Sequence, residues 1–155
     1  MVYSFGRVSA VIGMDVDDVY LHGARRWIRL REKGGKEHAV PLHHHAEECL
    51  LAYTAAAGIA EGPLFRATIG GRITTRRIGR LAAWEMAKRR ARDAGLPPET
   101  TNHTFRATGI TVYLENGGTI ENARLIAAHA SIRTTQAYDR RGENVTLDEI
   151  SRIRL

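Results

Sequence analysis

His103 and Arg106 stand three residues apart in the stretch HTFR, a spacing that on a helix puts both side chains on one face, aimed at one small target. A phosphate suits that target. Further along stand His129 and Tyr138. Taken singly, each has a commoner structural role: an HxxR pair is usually a solvated helix face, and a lone histidine usually a satisfied partner of backbone groups. A tyrosine can simply be half-buried. What carries weight is that all four fall within residues 103–138.

Local signals supply the elements that would hold them. Asn102 can cap a helix on which Phe105, Gly109 and Val112 recur on one side to face a core. Asn116-Gly117-Gly118 ends it, because glycine accepts the left-handed conformation of a helix C-cap. Thr119 can then cap a second helix that carries Ile120, Ala123 and Ile126 inward, and a third short segment runs from Ser131 to Tyr138.

This order resembles the tyrosine recombinases, the phage-type integrases. Their catalytic signature reads His-x-x-Arg, a helix, a glycine turn, a segment that is usually Leu-Gly-His, and a tyrosine nine residues after that histidine. HTFR, ENGG, AAHASI and Tyr138 follow it. The family's first catalytic arginine comes from a Gly-Leu-Arg helix, and Phe5-Gly6-Arg7 followed by VSAVIGM reads like that segment. The family commonly has an acid three residues beyond that arginine. Here that position is Ala10, so support for Arg7 has to come from elsewhere. The resemblance implies a catalytic lysine on a β-hairpin, with Lys33 as the match and Lys36 as the runner-up.

The six side chains, Arg7, Lys33, His103, Arg106, His129 and Tyr138, are of the types that metal-free phosphodiester transfer needs. Two arginines offer forked donors to the charge that builds on the non-bridging oxygens. A tyrosine hydroxyl, with a pKa of about 10, needs a proton acceptor or a strongly cationic setting before it attacks. The departing 5′ oxygen needs a proton in return, which a lysine can donate. By resemblance His103 is the base, Lys33 the acid and His129 a hydrogen-bonding partner of the phosphate. No cofactor and no metal are implied.

The rest of the chain is read in the same way. Residues 3–14 place Val8, Val11 and Ile12 on one helical side with Gly13 as a stop. From Val16 to Leu42 short β-rich runs at residues 18–20, 26–30 and 37–41, separated by turns at His22-Gly23 and Lys33-Gly34-Gly35-Lys36, predict a three-stranded antiparallel sheet. His43, His44 and His45 are adjacent, so they point in different directions and cannot close a metal site on their own; they are assigned to the start of a helix through Ala57. Thr74 or Thr75 can cap a helix to about Asp93, carrying Arg76, Arg77, Arg80, Lys88, Arg89, Arg90 and Arg92 on more than one face. In the tail from Glu143 to Leu155, Thr146 and Glu149 resemble a capping box, and Leu147, Ile150 and Ile153 form an apolar stripe that has to be buried.

The expected fold is α+β and mainly α-helical, with helices around the small sheet. The 155 residues suffice for one domain with a real core. By resemblance residues 1–155 form a single C-terminal catalytic domain, lacking the N-terminal DNA-clamping domain and the first helices of the catalytic domain. Lys plus Arg number 23 against 17 acids, a net +6 that fits a polyanionic partner. The single cysteine, Cys49, excludes an internal disulfide and a cysteine-based zinc cluster.

No apolar run reaches the roughly 20 residues needed to span a bilayer, and a cytoplasmic, nucleoid-associated protein with no membrane partner is expected. The resemblance implies a site-specific recombinase or integrase that works on double-stranded DNA as a homo-tetramer. It would cut and rejoin strands through a 3′-phosphotyrosyl intermediate without metal or ATP. Relaxation of the type IB topoisomerase kind and a non-catalytic DNA-binding module stay open as alternatives.

Overall fold

Ile28, Leu30 and Glu32 alternate with Trp27, Arg29 and Arg31, so one face of a strand is buried and the other is charged. In the computed structural model, which describes residues 1–140 apart from the side chain of Lys33, this strand is the centre of a sheet. It is β2 (Arg25–Arg31), flanked by β1 (Val19–His22) and β3 (Glu37–Pro41), both antiparallel to it. Ile28 pairs with Val19 on one side and Val40 on the other. A 3-10 turn at Lys33–Gly35 joins β2 to β3. The expected sheet is therefore present, and the expected tail from Glu143 to Leu155 lies outside the described residues.

Two apolar clusters meet behind the sheet. The first joins Ala10 and Met14 to Ile28, Leu30, Val40 and Leu64. The second gathers Phe5, Ile110, Leu114, Ala123 and Ala127, with Tyr138 packed against it. Ile126 touches both clusters, and its carbonyl accepts a hydrogen bond from His38 Nε2 at 3.2 Å. The sheet is thus tied to the helices that follow.

The first helix, α1 (Val8–Ile12), is shorter than the expected span of 3–14. The residues before it instead cross the helix of the HTFR motif, α4 (Asn102–Glu115), where Gly109 offers no side chain to block them. His43 caps α2 (His44–Ala57), its Nδ1 accepting from the His45 N–H. The His43 imidazole stacks on Tyr3 and on His44, and the His45 ring lies tilted against both other imidazoles.

A larger departure follows. Thr74 and Thr75 are not helix caps but lie in β5 (Arg72–Arg77), which pairs antiparallel with β4 (Arg66–Ile69). The Gly70-Gly71 turn between them has positive φ at both residues, the geometry a two-residue hairpin demands, and Ile73-Thr74-Thr75 is a β-branched run. The charged helix α3 (Arg80–Asp93) starts only after Gly79. Arg77 is spent on the fold: it donates to the carbonyls of Ile12 and Met14 at 2.8 and 2.7 Å and pairs with Asp15 at 2.5 Å.

α4 begins one residue earlier than expected, with Thr101 rather than Asn102 as the N-cap, in a box with Thr104. Its buried side holds Asn102, Arg106, Gly109, Ile110 and Leu114, while Val112 faces out. The stripe is rotated from the expected one so that an arginine points inward. α5 (Ile120–Ile126) is capped by Thr119 and buries Ala123, as the sequence implied. α6 (Ile132–Gln136) leads directly to Tyr138.

Candidate active site

Arg106 is 3% exposed, and a buried guanidinium requires partners on several of its donors. The carbonyl of Phe5 accepts from Nη1, and the carbonyl of Ala127 accepts from Nη2 at 2.9 Å. Nη2 also lies 2.8 Å from His129 Nε2. Arginine only donates, so that nitrogen is the acceptor and the imidazole proton sits on Nδ1. Nδ1 in turn donates to Thr135 Oγ1 at 2.9 Å. Burial lowers the Arg106 guanidinium from its usual value, and Arg7 nearby does so further. Glu32 and Tyr138 act in the opposite direction.

The same neighbourhood decides the state of His129. Burial first, then the charges of Arg106 and Arg7, pull its imidazole down to about 4. It is therefore neutral at pH 7, with both ring nitrogens engaged. Its ring stacks on Tyr138, with centroids 5.9 Å apart and planes 13° from parallel. Tyr138 is fixed from α4 as well, because the Thr111 hydroxyl donates to its carbonyl at 3.2 Å. His103 is exposed on the first turn of α4, its ring centroid 6.4 Å from that of Tyr138.

Arg7 comes from the other core. Its Nη1 donates to Glu32 Oε2 at 2.6 Å, with the carboxylate buried and the guanidinium 41% exposed. Five of the six expected side chains, Arg7, His103, Arg106, His129 and Tyr138, line one cleft of about 450 Å3. For the sixth, Lys33, the backbone lies in the β2–β3 turn immediately after Glu32, and its side chain lies outside the described residues.

Three contributors were not read from the sequence. Glu32 continues the inward alternation of Ile28 and Leu30, which is the signal that could have marked it as a buried carboxylate. Thr135 stands six residues past His129 with nothing local to announce the hydrogen bond between them. Arg80 lines the cleft from the first turn of α3, a turn without an acidic residue. Among the described residues its side chain has no hydrogen-bond or ion-pair partner. A cation at a helix N-terminus is electrostatically unfavourable, which an anion bound in the cleft would reverse.

Among the described residues two non-glycines have positive φ, Phe5 at 48° and Ala128 at 49°, and both flank Arg106. They fall where the family's Gly-Leu-Arg and Leu-Gly-His segments have glycine. Backbone strain of this kind persists where the surroundings over-determine it, and here it aims the Phe5 and Ala127 carbonyls at one guanidinium.

The arrangement offers two guanidinium groups, a neutral imidazole that orients one of them, and a phenol beside a second imidazole. That set can bind a tetrahedral anion and present it to an oxygen nucleophile.

Comparison with known proteins gives the family and the fold. The model of the phage integrase family matches residues 1–144. The tyrosine recombinase XerD of Mycobacterium tuberculosis (strain CDC 1551 / Oshkosh) is 33% identical over 146 residues, covering 89% of this chain and 45% of the relative. The crystal structure of XerA recombinase superposes with a TM-score of 0.74 at 23% identity, over 97% of this chain and 53% of that one. XerH site-specific recombinase bound to difH substrate, in a pre-cleavage complex, gives 0.73 at 19% identity over 98% and 44%. The chain thus spans about half the length of the curated relatives it matches, and its fold is that of tyrosine recombinase catalytic domains.

Proposed function

Because this chain belongs to the phage integrase family, we propose that it is the catalytic domain of a site-specific recombinase that cuts and rejoins double-stranded DNA. The observation that carries this reading is the shared cleft: Arg7, His103, Arg106 and His129 line it together with Tyr138.

In the proposed reaction Arg7 and Arg106 grip the non-bridging oxygens of one phosphodiester. The Tyr138 oxygen attacks phosphorus in line, forming a P–O bond to the 3′ strand end while the bond to the 5′ oxygen breaks. The phenolic proton passes to His103, and Lys33 protonates the departing oxygen, with Lys36 as its alternate. With both ring nitrogens engaged, His129 acts by fixing Arg106, and a bound phosphate would have to replace one of those contacts to meet the ring directly. One ester replaces another, so no nucleotide is consumed. Attack by a 5′ hydroxyl from a second duplex reverses the step with new connectivity. Assembly as a homo-tetramer on two DNA sites, in the cytoplasm at the nucleoid, belongs to the same reading.

The test mixes two duplexes that carry different labels, or one of them and a supercoiled plasmid, with protein and no metal or ATP. Recombinant products joining label from both duplexes support the reading. Relaxation of supercoiled plasmid without such products would give the site to topoisomerase-like resealing, and binding without either would make it a DNA-binding module.

A further inference from the structure

We infer that Glu32 is the positioning residue that couples Arg7 to the lysine-bearing turn, an inference that rests on the recombinase reading above. Four contacts of this one residue carry it. Its buried carboxylate holds the Arg7 guanidinium at 2.6 Å and faces the Arg7 N–H at 3.5 Å. Its own N–H donates to the Lys36 carbonyl at 2.8 Å, and its carbonyl accepts from the Gly35 N–H at 3.2 Å. The side chain therefore clasps an arginine 25 residues away, while the backbone closes the turn that begins at Lys33.

A solvent-exposed ion pair would carry no such meaning, because exposed pairs contribute little. Here the carboxylate is 3% exposed, and burying it is costly unless its partner stays in place. Arg7 and Arg106 must also converge on one phosphate although their charges oppose each other across the cleft. A carboxylate behind Arg7 offsets that repulsion and leaves the exposed part of the guanidinium free for the phosphate. The Ala10 position carries no acid to share the task. Because the turn and the carboxylate belong to one residue, opening the turn draws the carboxylate off Arg7, and losing Arg7 loosens the turn.

Two measurements test this. The first needs no catalysis: amide hydrogen exchange at Glu32 and Gly35 is compared in the wild type, Arg7→Ala and Glu32→Gln. Exchange in Arg7→Ala faster by about tenfold supports the coupling, and unchanged exchange overturns it. The second is adduct formation on ordinary DNA and on DNA with sulfur at the bridging 5′ position, a leaving group that needs no proton. Glu32→Gln is expected to slow the ordinary substrate about 10–100-fold, to recover partly with sulfur, and to add nothing further in an Arg7→Ala background. A double variant that loses the full product of the two single effects contradicts the inference. Melting curves for Glu32→Gln and the milder Glu32→Asp separate a folding defect from the coupling. Absence of any adduct with wild-type protein would defeat the recombinase reading, while the exchange result would still decide the coupling.

Discussion

His129 and Ala128 show how neighbouring residues can have opposite costs. An unfolded histidine takes up a proton near its ordinary 6.5, whereas His129 in the fold resists until about 4. Between those values the unfolded chain binds more protons, so stability falls as the pH is lowered from about 6.5 to about 4, and this group adds no slope outside that window. Melting temperatures measured from pH 7 to pH 4 should show that decline, by about 1–3 kcal/mol from this group, and His129→Asn should flatten it. An unchanged acid slope in the variant would mean that His129 protonates freely. Ala128, at φ 49°, strains the backbone for want of a glycine. Ala128→Gly should therefore raise stability by about 1 kcal/mol, or about 2–4 °C in Tm, with the Ala127 carbonyl still on Arg106.

Between elements, the junction that matters most is the crossing of the N-terminal residues over α4. A Cβ at Gly109 would run into the Val2 carbonyl oxygen, far inside contact distance. Gly109→Ala is expected to cost about 1–3 kcal/mol and to reduce adduct formation, because the segment it displaces carries the Phe5 carbonyl that holds Arg106. Thermal melting read beside cleavage checks both, and normal cleavage at wild-type stability would deny that the crossing matters. The sequence made Gly109 legible as a core-facing position but not its purpose, since a glycine that admits another backbone looks the same as one that merely faces a core. The three strands were legible because alternation and glycine turns are local signals. The β4–β5 hairpin was not, because Thr74 and Thr75 serve a helix cap and a strand equally well, and the Gly70-Gly71 turn settles the matter only with both arms in view. At the site, spacing marked His103 and Arg106 as neighbours on one helix face, and the resemblance to the recombinase signature added His129 and Tyr138. Glu32 and Thr135 were not, since the contacts that give them meaning are made by the folded chain.

Over the whole molecule, the net charge of +6 conceals a division of labour. Arg31 is bound by Asp18 at 2.6 and 2.8 Å and Arg77 by Asp15 and two carbonyls, so neither is free for a ligand. Arg80 opens on the cleft. Arg80→Ala should weaken DNA binding about equally for all sequences and reduce the slope of log K against log salt by about 1, whereas Arg77→Ala should chiefly lower Tm. Salt titrations of binding decide between them, and an unaltered slope in Arg80→Ala would remove that residue from the phosphate-binding surface. Chelators should leave catalysis unchanged, because no step in the proposed reaction uses a metal. The central claim is that Tyr138 becomes the covalent link to DNA. It is tested most directly by incubating nicked suicide DNA with wild-type protein and with Tyr138→Phe, then mapping any denaturation-resistant adduct by mass spectrometry. A 3′-phosphate linked to Tyr138 is expected in the wild type, and no adduct in the variant although it still binds DNA. An adduct that persists in Tyr138→Phe, or that maps to another residue, would contradict it.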